Sequence, residues 1–256
     1  MSIPSHAELL QQLVPIVRAA GELVMEVYAS DFKVTNKDDA SPVTVADQKA
    51  EALITQALQK LTPEVPVVGE EAVSDGATPE IGDRFWLVDP LDGTKEFINR
   101  NGEFTVNVAL IEHSQPVLGL VLAPALGQLF AGGPGLGSWL EHNGERKAIA
   151  CRTTPADGLT VVASRSHGDA TALDAFLAGR RVASNVSAGS SLKLCLVASG
   201  QADVYPRLGR TMEWDIAAGH AVLSGAGGVV EQLDGHPLTY GKPGLDNPHF
   251  AAWGLR

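Results

Sequence analysis

With 256 residues, 45% hydrophobic and 19% charged, the chain has the make-up of a folded protein of one large domain or two small ones. A formal net charge of -11 excludes nonspecific nucleic-acid binding as a function, so a bound anion must be met by a local basic pocket or a metal. Cys151 and Cys195 read as buried free thiols, and with no leader-like N-terminus or long apolar run the expectation is a cytoplasmic protein with no integral membrane segment.

The first predicted element is a helix over "AELLQQLVPIVRAAGELVMEVY", with Leu9, Leu13, Ile16, Ala20, Leu23 and Val27 on one face. Pro15 lies inside it and predicts a kink or a restart. "VTVADQKAEALITQALQKL" reads as a second amphipathic helix with Ala46, Ala50, Leu53, Ala57 and Leu61 inward. "VPVV" and "FWLVD" read as strands. "FTVNVALIEH", "PVLGLVLAP", "GQLFAGG" and "GSWLEHNG" follow as short strands of an antiparallel meander.

After the turn-rich "TTPADG" the pattern changes to strands alternating with helices. "LTVVASRSH", "ADVYP" and "VVEQL" are strands; "DATALDAFLAG", "SLKLCLVASG" and "WDIAAGHAVLSGAGG" are helices. This predicts an α+β half over residues 1–155 and an α/β half over residues 156–256.

The stretch "WLVDPLDGTKEF" ends an apolar strand on two carboxylates, Asp89 and Asp92. Pro90 biases Asp89 towards extended backbone, Gly93 permits a tight turn, and Thr94 can begin a helical turn. Converging carboxylates repel, and a multivalent cation relieves them. Asp47 and Asp215, each at the start of a predicted helix, and the pair Glu70 and Glu71, after a strand, are further candidates. Each also has a structural reading, as a helix cap, a turn residue or a solvated acid. Oxygen-only ligands favour Mg²⁺ or Mn²⁺ over zinc. His220, on an apolar helix, reads as a packed histidine rather than a ligand.

"VTVAD", "GEE", "DPLDGT" and "WDIAAGHAVL", in this order across most of the chain, resemble the lithium-sensitive, magnesium-dependent phosphatases of the inositol monophosphatase superfamily. Within it, "DPLDGTKEFINRNGEFTVNVALI", "SRSH" and "GSSLKLCLVASGQADVYPR" are similar to bacterial 3'(2'),5'-bisphosphate nucleotidases of the CysQ type. Lys95, Glu96 and Phe97 stand where inositol phosphatases usually have Thr-Asn-Phe.

The resemblance implies an αβαβα layered sandwich and two or three Mg²⁺ ions. Glu70, Asp89 and the Leu91 carbonyl would hold one ion; Asp89, Asp92 and Asp215 a second. Thr94, with Glu70 and Asp47, would orient and deprotonate the attacking water. The Gly93 and Thr94 amides would hold the scissile phosphate. Ser164, His167, Gly189, Ser190 and Lys193 would line the nucleotide side. Of the two adjacent glutamates, Glu71 is not a ligand in this assignment.

The implied reaction is hydrolysis of 3'-phosphoadenosine 5'-phosphate to AMP and phosphate, clearing a by-product of sulfate assimilation. Inositol monophosphatase or fructose-1,6-bisphosphatase activity and a non-catalytic nucleotide sensor are the alternatives. The resemblance further implies a small-molecule nucleoside bisphosphate as partner and a peripheral place at the inner membrane, although no basic amphipathic stripe supports the latter. The oligomeric state stays open.

Overall fold

The computed structural model describes residues 4–30, 34–36, 42–164 and 170–256; side chains at 34–36, 42–44, 164 and 170 lie outside the description. Helix α1 (His6–Ala29) opens on a capping box. The Glu8 N–H donates to the Ser5 hydroxyl at 3.3 Å, and the Ser5 N–H donates to the Glu8 carboxylate at 2.8 Å. The helix runs unbroken through the exposed Pro15, against the expected restart. Its buried stripe is Leu9, Leu13, Val17, Ala20, Val24 and Val27, so Val17 and Val24 replace the predicted Ile16 and Leu23 one position on. Because Pro15 removes an internal hydrogen bond at an exposed position, Pro15→Ala is expected to stabilise the protein by about 1–3 kcal/mol; an unchanged denaturation midpoint would show that the helix has already adapted.

Strands β1 (Val34–Asn36) and β2 (Pro42–Thr44) pair antiparallel and lead into α2 (Val45–Leu61). The inward face of α2 carries Ala46, Asp47, Ala50, Glu51, Ile54 and Leu58. Leu53, Ala57 and Leu61, predicted inward, are only half-buried, and two acids take places that an apolar pattern leaves blank. Next come β3 (Val67–Gly69), the one-turn helix α3 (Glu70–Ser74), β4 (Arg84–Asp92) and the short α4 (Thr94–Ile98). The predicted meander follows as β5 (Thr105–Glu112), β6 (Gln115–Ala123), β7 (Gln128–Gly133) and β8 (Gly137–His142), extended by β9 (Glu145–Ile149). Together β3 to β9 make a seven-stranded sheet in sequence order, with β3 parallel to β4.

The rest of the chain gives β10 (Leu159–Ser164), α5 (Ala170–Leu177), β11 (Val182–Ala188), α6 (Leu192–Ala198), β12 (Val204–Arg207), α7 (Glu213–Gly225), β13 (Val229–Gln232) and β14 (Phe250–Trp253). Its five strands form a second sheet in the order β11-β10-β12-β14-β13.

Five layers result. Helices α1 and α2 cover one face of the first sheet, where Leu13, Ile54 and Leu58 meet Trp86, Val88 and Val108. Helices α6 and α7 lie between the sheets; Leu194, Ala218 and Val222 share a core with Leu87, Ala109 and Phe130 on one side and Val162, Tyr205 and Ala252 on the other. Helix α5 covers the outer face of the second sheet through Leu173, Phe176 and Leu177. The αβαβα expectation is therefore met. Along β4, Phe85 and Leu87 serve one core while Trp86 and Val88 serve the other. A strand covered on both faces reads as a continuous apolar run. For the same reason every residue of α7 from 216 to 223 is buried.

Candidate active site

The acids of "DPLD" converge because β4 carries an extra residue. Asp89 lies opposite Asn107 and Asp92 opposite Thr105, so three steps along β4 match two along β5. In a regular strand, residues three apart face opposite sides; a bulge at Pro90 and Leu91 brings both carboxylates to one side. Gly93 then adopts φ 92°, a left-handed conformation suited to glycine, and α4 starts at Thr94. The Asp89 carboxylate accepts the Leu91 N–H at 3.0 Å, and the Thr94 hydroxyl donates to the Leu91 carbonyl at 3.4 Å.

Asp89 is the centre of charge. Its side chain is 1% exposed. Burial holds its carboxyl well above the usual carboxylate range, and repulsion from Glu70, Asp92, Asp215 and Asp47 adds to this. One buried group thus feels Asp47, Glu70, Asp92 and Asp215, four of the acids that the sequence singled out. Asp92 is pushed up to about 6, first by burial, against the pull of Lys193 and of a hydrogen bond from the Ser191 amide. Asp215 is pushed up to about 7 by burial and by Asp92. It also caps α7, as the third helical residue rather than the N-cap itself, accepting the N–H of the N-cap Met212 at 2.9 Å.

A cleft opens over these groups, lined by Asp47, Glu70, Asp92, Thr94, Lys193 and Asp215, with Glu71, Gly93, Gly189 and Ser190 also in its wall. Asp89 and Leu91 lie beneath this wall rather than in it. Glu70 is among the charges that raise the Asp89 pKa. A Cβ on Gly189 would run into Glu103 and Glu96, and the Gly189 N–H donates to the Glu103 carboxylate at 2.8 Å. Ser190 holds a left-handed φ of 44°. Its hydroxyl accepts from Thr105 at 3.2 Å, while Ser191 bonds Thr105 at 2.9 Å and Asn107 at 2.7 Å. This hydroxyl chain ties the loop before α6 to the strand opposite Asp89 and Asp92. Ser164 ends β10, with its side chain outside the description, and His167 lies outside the described residues.

Two cations face the acids. Lys193 is buried, its ammonium donating to the Ser190 carbonyl and standing 5.5 Å from the Tyr205 ring centroid. Burial pulls its pKa down to about 8 against the attraction of Asp92. Arg207, which the sequence reading missed, ends β12 in the cleft wall and donates through Nη2 to the Arg210 carbonyl at 2.7 Å. Its Nε is buried with no hydrogen-bond partner among the described residues. Arg207 sits in "ADVYPR", where nothing local separates it from a surface arginine after a strand.

Among the described residues, no three carboxylate, imidazole or thiol groups close on one ligating point. The donors are nevertheless suited to a hard divalent cation: they are oxygens only, they repel one another, and their raised pKa values record the cost of leaving that charge unneutralised. His220 stands apart, packed as expected, with Nδ1 2.9 Å from the Tyr240 hydroxyl and its pKa pulled down to about 3 by burial. Both cysteines are free and buried.

Comparison with known proteins agrees with this geometry. The model of the inositol monophosphatase family matches residues 5–253. A protein of Escherichia coli strain K12 named 3'(2'),5'-bisphosphate nucleotidase CysQ is 48% identical over 245 residues, covering 94% of this chain and 98% of that one. The protein of the same name from Buchnera aphidicola is 39% identical over 91% of this chain and 88% of its own. The crystal structure of CysQ from Bacteroides thetaiotaomicron superposes with a TM-score of 0.81 at 36% identity, covering 97% of each chain. An IMPase from Thermotoga maritima gives 0.78 at 28% identity, over 96% of this chain and 91% of its own. A match of the family model across nearly the whole chain, with a five-layer fold that gathers the motif acids around Asp89, places this protein in the inositol monophosphatase family.

Proposed function

We propose that this protein is a metal-dependent 3'(2'),5'-bisphosphate nucleotidase that hydrolyses 3'-phosphoadenosine 5'-phosphate to AMP and phosphate. The observation that carries the reading is one cleft that holds both mutually repelling carboxylates and two cations, Lys193 and Arg207, whose charges act on Asp92 and Asp215. A substrate with two phosphates calls for both. In this reading residues 1–155 supply Asp47, Glu70, Asp89 and Asp92, and residues 156–256 supply Asp215 and the nucleotide side.

Uncatalysed phosphate monoester hydrolysis is among the slowest reactions, with enzymatic accelerations up to about 10²¹-fold, whereas a general base alone supplies about 10²–10⁴. When bound, Mg²⁺ in this family supplies activation of water and neutralisation of phosphate charge. Two or three ions would be held by Glu70, Asp89, the Leu91 carbonyl, Asp92 and Asp215. Thr94 orients the attacking water through its hydroxyl, and Glu70 with Asp47 takes up the proton. The Gly93 and Thr94 amides, at a helix start where amides have no intrahelical partner, hold the scissile phosphate. Ser164, His167, Gly189, Ser190 and Lys193 line the nucleotide side.

A cytoplasmic place is part of the proposal; among the described residues no helix is long and apolar enough to cross a membrane. Peripheral attachment gains no support from α1, whose apolar stripe is buried against the sheet.

The test is phosphate release from 3'-phosphoadenosine 5'-phosphate, inositol monophosphate and fructose 1,6-bisphosphate, with Mg²⁺ and with chelator. Preference for the nucleotide and loss of release in chelator are expected. Preference for a sugar phosphate would reassign the substrate, and no release from any of them would favour a nucleotide sensor. A Li⁺ titration against Na⁺ and K⁺ controls belongs beside it, with inhibition by Li⁺ alone expected.

A further inference from the structure

We propose that Glu51 is a positioning residue that sets the orientation of Glu70 towards the metal site; the inference rests on the metal-site reading above. Glu51 lies one turn after Asp47 on the buried face of α2 and is 6% exposed. Its two carboxylate oxygens each accept a backbone N–H from the start of α3, Glu71 N at 2.8 Å and Ala72 N at 2.8 Å. Glu70, whose charge acts on Asp89 and which lines the cleft, is the first residue of that helix.

A five-residue helix does not stand by its own hydrogen bonds. The residue before it, Gly69, has no side chain with which to cap. Glu51 supplies the cap from a different helix, and in doing so locks α3 to α2. Since Asp47 leaves the same face of α2, the two acids proposed to manage the water are set by one rigid unit.

Gly69 fits this arrangement. A Cβ there would stand 2.4 Å from the Glu51 carboxyl carbon and 2.6 Å from each of its oxygens. Its φ of -105° is open to any residue, so space for the carboxylate, not backbone freedom, requires glycine.

Groups that orient a metal ligand without touching the metal typically cost about 10–100-fold in metal affinity when changed. Two substitutions at different residues should therefore converge. Glu51→Gln keeps the volume but sets an NH₂ against one of the two amides. Gly69→Ala leaves Glu51 in place and displaces its carboxylate. The measurements are Mn²⁺ affinity by titration calorimetry on the full-length protein without substrate, and the rise in melting temperature on adding metal.

Both variants are expected to weaken metal binding by about tenfold or more and to shrink the metal-induced rise, while KM for substrate at saturating metal stays near wild type. A lower metal-free melting temperature with wild-type metal affinity would make Glu51 a structural cap only and overturn the proposal. So would wild-type affinity in Gly69→Ala. Failure of the wild-type protein to bind metal would instead remove the site reading itself.

Discussion

Asp92→Asn is expected to lower turnover by about 10³-fold or more while making the metal-free protein more stable at neutral pH. The loss has the scale of removing one electrostatic stabiliser of a transition state. The gain follows from linkage. In the folded protein Asp92 is pushed up to about 6 and Asp215 to about 7, chiefly by burial. Their unfolded values are near 3.9. Between these limits the folded state binds more protons than the unfolded one, so metal-free stability falls as pH rises from about 4 to about 7, and the whole penalty is present above that window. A rise of about two pKa units corresponds to about 3 kcal/mol, as an upper figure for one member of a coupled set. Asparagine resembles the protonated acid and escapes the penalty. In chelator at pH 8 the variant should melt several degrees above wild type, and near pH 4 the two should coincide. A variant that melts lower at pH 8, or turns over normally at saturating Mg²⁺, would mean that the carboxylates are not held against their repulsion for a cation.

Arg207→Ala is expected to raise KM for 3'-phosphoadenosine 5'-phosphate by about 10–100-fold, the 1.5–3 kcal/mol or so of a charged hydrogen bond, with a small change in kcat. Adenosine 3'-monophosphate, which lacks the second phosphate, should be hydrolysed about equally by both proteins. The reasoning is that the Arg207 Nε is buried in the cleft wall without a hydrogen-bond partner among the described residues, and such a group is costly unless a ligand meets it. Lys193→Ala provides the contrast. Lys193 was expected on the nucleotide side, but its ammonium is buried against the Ser190 carbonyl and draws Asp92 towards ionisation. Its loss should lower kcat for both substrates. If instead Lys193→Ala raises KM for the bisphosphate alone and Arg207→Ala affects both substrates equally, the two side chains exchange roles.

The sequence by itself determined most strands and helices of the two halves and the candidate acids, while the five layers and the roles of the acids were implied by the family resemblance. Apolar stripes and continuous apolar runs are local properties, and the core strands of the first sheet and the helices α1, α2, α5, α6 and α7 each carry one or the other. The motif acids could be named because "DPLDGT", "GEE" and "WD" combine chemistry with turn geometry inside a few residues. Elements without a core-facing pattern were illegible. Strand β9 and strand β11 lie at sheet edges with mostly exposed residues, and α3 is a single turn that depends on what it packs against.

Only the tertiary structure decided what converges. The bulge that turns Asp89 and Asp92 to one side exists only in the pairing of β4 with β5. Asp215 reaches them because α7 is held between two sheets. Glu51 drew no reading from the sequence, and becomes a cap only when α3 is set beside it. Arg207 reads as a surface arginine, and becomes a candidate anion receptor only when β12 delivers it to the cleft. The physical reason is common to these cases: a charged side chain takes its role from burial and from partners far away in the chain, and hydrophobic periodicity encodes neither.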